Sequence, residues 1–539
     1  MNPRVPLQGP LGLVIWLAAC TSDHKLTITD VVTDGTRVRV EYAIEGDNTE
    51  KLIPTWKAGD GSGLATAILG DAGALEPAHS YALEWNAAMD VPGDRMGAVE
   101  LLLNLGDERA STGPLSLEPR ITEGALATAS GVRRLKLTGD GERVSVTWST
   151  EDDPPGVFAA AGTPAGGMAW VRALGGTADP RWNPASVLVD DGVVVVWQDY
   201  RNEDAADLYA ARLDRDGVAS PELRVDAAAT VYNSMDPVMT YGPAGVVAAW
   251  TDNREDDQTL RYQAWSSVYV AVSVDNGRQW SANDVRVDTG SFLEGVSFAP
   301  VVAQDDSGRV YVAWLDSRAG GYQIRLNRSD DGGASWLSED VLVADGINQE
   351  LRMLSAGDGQ LVLCWEDWNE GLPNVVYAAS LDAGASFTTP TRLNQDAGPA
   401  RRPAMAVYGE EVTIAWMDQS NGAPDIHVGR SLDAGLSFDE LALGDDAPGA
   451  AASANPTVAY DLAGHLAVAW LDAASGDYLP MMVMMINDGW TAAVPLREGD
   501  AASELQAVGA GDAGWYFVWR EAGADYGLPG SGFQASVEL

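Results

Sequence analysis

Basic residues are scarce in this chain: 34 Lys and Arg stand against 78 Asp and Glu, a formal charge of -44. A surface that negative repels phosphate backbones and anionic lipid, which excludes nucleic-acid binding. It would attract divalent cations, or serve solubility alone. Histidine is scarcer still, with only His24, His79, His427 and His465. They are scattered, so no His-Glu-x-x-His zinc motif exists, and neither a Gly-x-Ser-x-Gly elbow nor a phosphate loop appears. A mean hydropathy of -0.10 excludes a polytopic membrane protein. Cysteine is limited to Cys20 and Cys364, and the second lies in the apolar run Leu361 to Trp365 as a core thiol.

What is present is enough for folding. An apolar content of 46% is that of a globular protein, and 539 residues call for two domains or one large closed repeat array. The first twenty residues read as an export signal: Arg4, a short apolar core from Leu11 to Trp16, then Leu17-Ala18-Ala19-Cys20. That core is too short for a stable transmembrane helix. The ending resembles a bacterial lipobox, which implies a signal peptide over residues 1–20 and a diacylglyceryl group on Cys20. Thr21 after the cysteine favours, by the same resemblance, the outer membrane or cell surface. The alternative is a plain secretory signal. With Cys20 acylated no intramolecular disulfide can form, so stability must come from packing.

From residue 25 to 118 short alternating runs such as Arg37 to Tyr42, Ser80 to Trp85 and Ala98 to Leu103 are separated by Gly, Asp and Asn clusters. This predicts a small antiparallel sandwich. The stretch Trp85-Asn86-Ala-Ala-Met-Asp90 resembles immunoglobulin- or fibronectin-like modules of bacterial surface proteins, which usually act as spacers. Pro114 and Pro119 mark its boundary.

From residue 121 to 539 a repeat takes over. Strands end in Trp-x-Asp at Trp197, Trp250, Trp314, Trp365, Trp416 and Trp470, with degenerate copies at Trp148 and Trp519. Pro184, Pro237, Pro300, Pro403 and Pro456 each precede an apolar stretch and predict an extended start to a strand. A period of about fifty residues holds four short strands, one blade of a propeller. The fold class is therefore all-β: a multi-bladed β-propeller after a small β-sandwich. Eight blades are predicted, or seven if the Trp148 unit is irregular. The last unit lacks an outer strand, which Ile121 to Ala129 can supply, closing the ring.

Four copies of Ser-x-Asp-x-Gly-x-x-aromatic punctuate the repeat. Their residues are Ser273, Asp275, Gly277 and Trp280; Ser329, Asp331, Gly333 and Trp336; Ser380, Asp382, Gly384 and Phe387; and Ser431, Asp433, Gly435 and Phe438. Ser and Asp can satisfy the turn's own N–H groups while Gly takes a positive φ and the aromatic packs beneath. This Asp box resembles the bacterial neuraminidase repeat of sialidases and of many unrelated propellers. It marks structure and carries almost no catalytic meaning.

Each box follows a third strand, so the Trp-x-Asp ends of the second strands lie on the opposite face. That face collects Asp199 and Arg201, Asp252 and Arg254, Asp316 and Arg318, with Asp367, Asp418 and Asp472 at matching positions. Arg181, Trp182, Arg352, Arg401 and Arg402 are expected in the connections between blades on the same side. The arginines could clamp a carboxylate or sulfate, and Trp182, Tyr200 or Trp368 could stack on a sugar. The alternative is Asp–Arg pairing inside each blade. The acidic loops Asp199 to Asp204 and Asp252 to Asp257 could hold calcium or simply face water, and no metal ligand is assigned.

The sialidase resemblance implies an arginine triad, a Tyr nucleophile with its Glu, and an Asp acid/base. It also implies an Arg-Ile-Pro element, yet the first unit has Val132-Arg133-Arg134-Leu135, and the one Arg-Pro is Arg402-Pro403 in mid-chain. No Tyr–Glu pair can be singled out, and catalytic residues stay unassigned. The expected protein is an exported lipoprotein, touching membrane only through its anchor and monomeric. Its propeller binds a glycan or surface protein, without a required cofactor. Two alternatives stand beside it: a sialidase-like hydrolase or lyase on an acidic sugar, and a docking component of a surface or secretion assembly.

Overall fold

The structure is a computed structural model. It describes residues 24–538 except 35, 47–50, 60, 75–78, 88–89, 92, 116, 118–119, 151–154, 165, 176–179, 203–204, 228–231, 255–264, 291–294, 396, 444–448, 487–488, 498–500, 512–513 and 522–529. The chain divides into two compact units, Met1–Val91 with Arg95–Leu117, and Pro92–Asp94 with Glu118–Leu539.

The first unit contains two antiparallel sheets. One pairs His24–Asp34, Arg37–Gly46, His79–Asn86 and Ile68–Gly70 in that order; the other centres on Lys51–Ala58 and Glu100–Leu105. Alternation decides which side chains are inside: Val38, Val40, Tyr42 and Ile44 are fully buried from one strand, and Leu101, Leu103 and Leu105 from another. Asp90 ties the module together, accepting from the Trp85 indole at 2.8 Å and from the Thr66 amide at 2.7 Å.

The second unit is built from four-stranded antiparallel meanders. Ser297–Gln304, Val310–Asp316, Gln323–Ser329 and Val341–Ala344 form one of them. The second strand is sandwiched between neighbouring sheets on both sides. It therefore reads as a continuous apolar run: every residue of Gly192–Asp199 is buried, and so is every residue of Val310–Asp316. The fourth strand is short, two residues in Val285–Arg286, and forms the outer edge.

Closure uses both ends of the unit. The strand Arg120–Gly139 pairs through Val132 to Gly139 with Val144–Thr150, and through Arg120 to Ala127 with Gly530–Glu538. One seven-stranded sheet results, and no open edge remains at the join. The first strands touch one another in a closed cycle. It runs Arg120–Gly139, Arg181–Val189, Ser234–Gly242, Ser297–Gln304, Asn348–Gly357, Ala400–Tyr408, Ser453–Tyr460, Ala502–Gly509 and back to the start. The all-β class and the propeller are those that the sequence predicts.

The prolines behave differently from expectation. Pro184, Pro237, Pro300, Pro403 and Pro456 do not open their strands but sit inside them, each as the second residue of a β-bulge. The residue before each proline (Asn183, Asp236, Ala299, Arg402, Asn455) takes a φ of 48 to 55°. Arg134, Glu350 and Glu504 occupy the equivalent bulges without a proline. A proline disfavours the right-handed helical region in the residue before it, and Asn and Asp tolerate positive φ better than most side chains.

Candidate functional site

The Asp boxes come first because they can be set aside. Ser273 Oγ donates to Asp275 Oδ1 at 2.9 Å and accepts the Gly277 amide at 2.9 Å, while Asp275 Oδ1 accepts the Gln279 amide at 2.8 Å. The boxes at Ser329, Ser380 and Ser431 repeat this pattern. The Ser335 hydroxyl, followed by Ser329, holds the Asp331 carboxyl down at about 2. Gly277 has φ +80°, and a Cβ there would lie 2.6 Å from Val194 of the preceding blade. Trp280 packs beside the core around Val196 and Trp250. The Ser and Asp side chains of each box are used by its own turn.

The Trp-x-Asp-x-Arg ends lie opposite the boxes, and they too are internally committed. The fully buried Asp199 accepts from the Trp197 indole at 2.9 Å, from Arg181 Nε at 3.0 Å and from Arg201 Nε at 2.8 Å. Burial pushes its carboxyl up, but hydrogen bonds from Arg201 and Trp197 outweigh that, and the net shift is downward. Asp252 accepts from Trp250, Ser234 and Arg254, and Arg254 reaches on to Asp284 at 2.8 Å. Asp316 binds Trp314, Ser297 and Arg318, which also reaches Asp340 at 3.0 Å. Arg201 and Arg254 stack over Tyr209 and Tyr269, 3.8 and 4.0 Å from the ring centroids.

The remaining matching positions have no arginine two residues further on, and each aspartate accepts from a neutral residue. Asp367 takes Asn369, Asp418 takes Ser420, and Asp472 takes Ser453 at 3.1 Å. In the Trp148 unit Thr150 replaces the aspartate, and the buried indole N–H groups of Trp148, Trp365 and Trp470 have no acceptor among the described residues. Asp199, Arg201, Asp252, Arg254, Asp316 and Arg318 thus form knots that fasten second strands to neighbouring segments of their own blades.

Arg181, Trp182, Arg352, Arg401 and Arg402 are not in connecting loops, as the sequence suggests, but inside first strands, because those strands begin two or three residues before the bulge. The Arg401 guanidinium lies 4.8 Å from the Trp368 ring centroid. Trp182, Tyr200 and Trp368 are all half-buried. Cys20 and the acidic residues 203–204 and 255–257 lie outside the described residues. Among the described residues no cluster of three His, Cys, Asp or Glu gathers as a metal site.

The bulges bring together a different set. Arg134, Asn183, Asp236, Glu350, Arg402, Asn455 and Glu504 line a central cavity of about 650 Å³, with Lys136 and Arg352 one alternation deeper. Neighbours in this ring are linked: Asn183 donates to Asp236 at 2.7 Å, Arg402 donates to Asn455, and Glu504 accepts the Leu135 amide at 3.0 Å. Arg352 donates to Glu350 at 3.1 Å. The bulges sit near the ends of the first strands that share a face with Asp199 and Asp252, so the cavity opens away from the boxes.

Of the residues the sequence offered as a ligand face, Arg352 and Arg402 line this cavity. Lys136, Asn183, Asp236, Glu350, Asn455 and Glu504 were not singled out. The signal was the residue before each strand proline, where Asn and Asp recur.

Sheets closed in a cycle, with Ser–Asp–Gly turns between third and fourth strands, define an Asp-box β-propeller. A model of the BNR repeat-like domain matches residues 191–463, just over half of the chain, and the chain belongs to that family. No curated protein matches. Similar solved structures include the polysaccharide lyase Uly1, at 11% identity over 66% of this chain and 89% of that one, with a TM-score of 0.43. A mutant of the NanB sialidase from Streptococcus pneumoniae matches at 10% identity over 81% and 92%, with a TM-score of 0.35. An alpha-L-arabinanase of Penicillium chrysogenum, complexed with arabinobiose, matches at 16% identity over 56% and 92%, also at 0.35. At these identities the likeness concerns the fold alone.

Proposed function

We propose that this chain is an exported, lipid-anchored protein whose propeller binds a glycan or protein ligand at the channel mouth on the face away from the Asp boxes. The observation that carries the reading is the break in repeat symmetry at the bulges. Elsewhere equivalent positions repeat the same residue types, as in the Trp-x-Asp ends and the boxes. At the bulges they diverge into Arg134, Asn183, Asp236, Ala299, Glu350, Arg402, Asn455 and Glu504. Structure needs repetition, whereas a ligand is not eightfold symmetric and selects different groups around the ring. A cavity of about 650 Å³ suits a slender ligand, such as the end of a saccharide or a peptide, better than a folded surface. The lipid anchor rests on Leu17-Ala18-Ala19-Cys20 alone.

A glycan array followed by calorimetry tests the binding. Retention of a saccharide that weakens in Arg402→Ala supports the reading, and no retained ligand on glycan or peptide arrays overturns it. A second reading, hydrolysis or lysis of an acidic sugar, draws on the carboxylates Asp236, Glu350 and Glu504 facing cations in one cavity. Release of fluorophore from sialosides or uronides, abolished by Glu350→Gln or Glu504→Gln, would establish it in place of binding alone.

A further inference from the structure

We propose that the propeller channel holds an oxyanion site between Lys136 and Arg352, which takes the carboxylate or sulfate group of a ligand entering through the mouth. The inference rests on the channel being the ligand site and adds the chemistry of what reaches its waist. Lys136 and Arg352 each lie two residues beyond the positive-φ residue of a bulge, on first strands that face each other across the channel. Three first strands intervene on either side of the cycle. At the same depth the other strands present Ala185, Val238, Val301, Ala404, Thr457 and Gln506. Two cations therefore project into the channel, both still open to solvent, at a level where four of the other six side chains are apolar.

Their partners do not use them up. The Lys136 ammonium makes no hydrogen bond or ion pair among the described residues, although its backbone is paired with Thr147. Arg352 spends one donor on Glu350 at 3.1 Å and one on its own strand, the Leu351 carbonyl at 3.0 Å. Enclosure by the channel wall, and then the charge of Arg352, hold the Lys136 ammonium below the usual lysine range; Arg134 adds to this and Glu504 and Glu350 oppose it. An anion seated between the two cations removes that repulsion. The cavity lining carries four cations, Arg134, Lys136, Arg352 and Arg402, against three carboxylates, Asp236, Glu350 and Glu504. That balance runs opposite to a chain of formal charge -44. It is a local excess of positive charge where a ligand can enter.

The test is isothermal titration of the full chain with glucuronate, a sugar sulfate, inorganic sulfate and glucose, repeated on Lys136→Met and Arg352→Met. The expected result is binding of the anionic sugars that weakens about tenfold or more in each variant, the loss of one charge-assisted contact. The variants should melt close to the wild type without ligand, since the Lys136 ammonium has no hydrogen-bond partner among the described residues and the Arg352–Glu350 pair is exposed. Proton uptake by Lys136 on binding should make the enthalpy at alkaline pH depend on the buffer, which a purely structural lysine would not do. Inorganic sulfate binding as tightly as the sugar sulfate, and lost in the variants, keeps the site and assigns it a free anion. Anionic sugars bound equally by wild type and both variants overturn the oxyanion site but leave the channel reading standing. If no saccharide binds the wild type at all, it is the channel reading that fails.

Discussion

Replacing Asp252 by alanine should unfold the propeller more easily without touching the channel. Asp252 is 2% exposed, and three groups depend on it: the Trp250 indole at 3.0 Å, the Ser234 hydroxyl at 2.9 Å and Arg254 through Nε at 2.8 Å. Alanine leaves the buried indole without an acceptor, at about 1–3 kcal/mol, and takes the nearer of two acceptors from the Ser234 hydroxyl, which keeps Asp226 Oδ2 at 3.3 Å. Arg254 keeps Asp284 at 2.9 and 2.8 Å, so its charge is not stranded and the full cost of breaking a buried pair is not reached. The sum is about 3 kcal/mol, which for a cooperative unit spanning Glu118–Leu539 lowers the melting temperature by about 3 °C. Asp418→Ala is the internal comparison. Its Trp416 bond is long at 3.4 Å and it holds no arginine, so about 1–2 kcal/mol is expected. Calorimetric melts of both variants, with ligand titrations below the transition, read the two effects separately. An Asp252→Ala protein that melts with the wild type but no longer binds ligand would refute the assignment of these knots to structure.

Gly277→Ala should destabilise by about 2–4 kcal/mol, because it combines φ +80° with a Cβ 2.6 Å from Val194, measured by denaturant midpoint. Gly320→Ala has a similar φ of +87° but open space around it, and should cost only about 1 kcal/mol. Asp305 gives an acid-side prediction. Burial raises its carboxyl, but bonds from the Ser307 and Tyr311 hydroxyls and the Arg309 and Gly359 amides bring it down to about 2, from 3.8. A depressed carboxyl stabilises the fold above its unfolded value, so about 2 kcal/mol present at neutral pH should vanish as pH falls from about 4 to 2. Asp305→Asn should flatten that limb of the stability–pH curve; an unchanged limb would contradict it. Counting eight blades makes Gly530–Glu538 the third strand of the last blade and the start of Arg120–Gly139 its fourth. Deleting residues 530–539 should therefore broaden the melt and expose both edges to aggregation, and a truncated protein that melts normally would refute this closure.

Much of the scaffold was legible because its signals are local. At Trp197, Trp250, Trp314 and Trp416 a Trp-x-Asp end places the indole beside its own carboxylate, and a Ser-x-Asp-x-Gly turn satisfies itself, so each can be read from a few adjacent residues. Closure was legible because a final unit short of one strand needs a partner at the other end. The channel was not, since it depends on which way first-strand side chains point after a bulge. Reading Pro184 or Pro403 as the start of a strand hid the bulge, and with it the inward turn of Asn183 and Arg402. Arg201, Arg254 and Arg318 attracted attention because arginines beside aspartates resemble a ligand clamp. Two residues past the strand end is also the spacing that folds a guanidinium back onto its own aspartate, and the fold uses that. Lys136 and Arg352 share no motif and meet only through the cycle of strands.

The most direct test of the account is a structure of the full chain with its tightest array ligand bound. The account predicts ligand in the central cavity, against Arg134, Arg352 and Arg402 with an anionic group near Lys136, and the Asp252–Arg254 and Asp316–Arg318 knots unchanged. Ligand seated on the Asp-box face, or on those knots with their ion pairs opened, would contradict it.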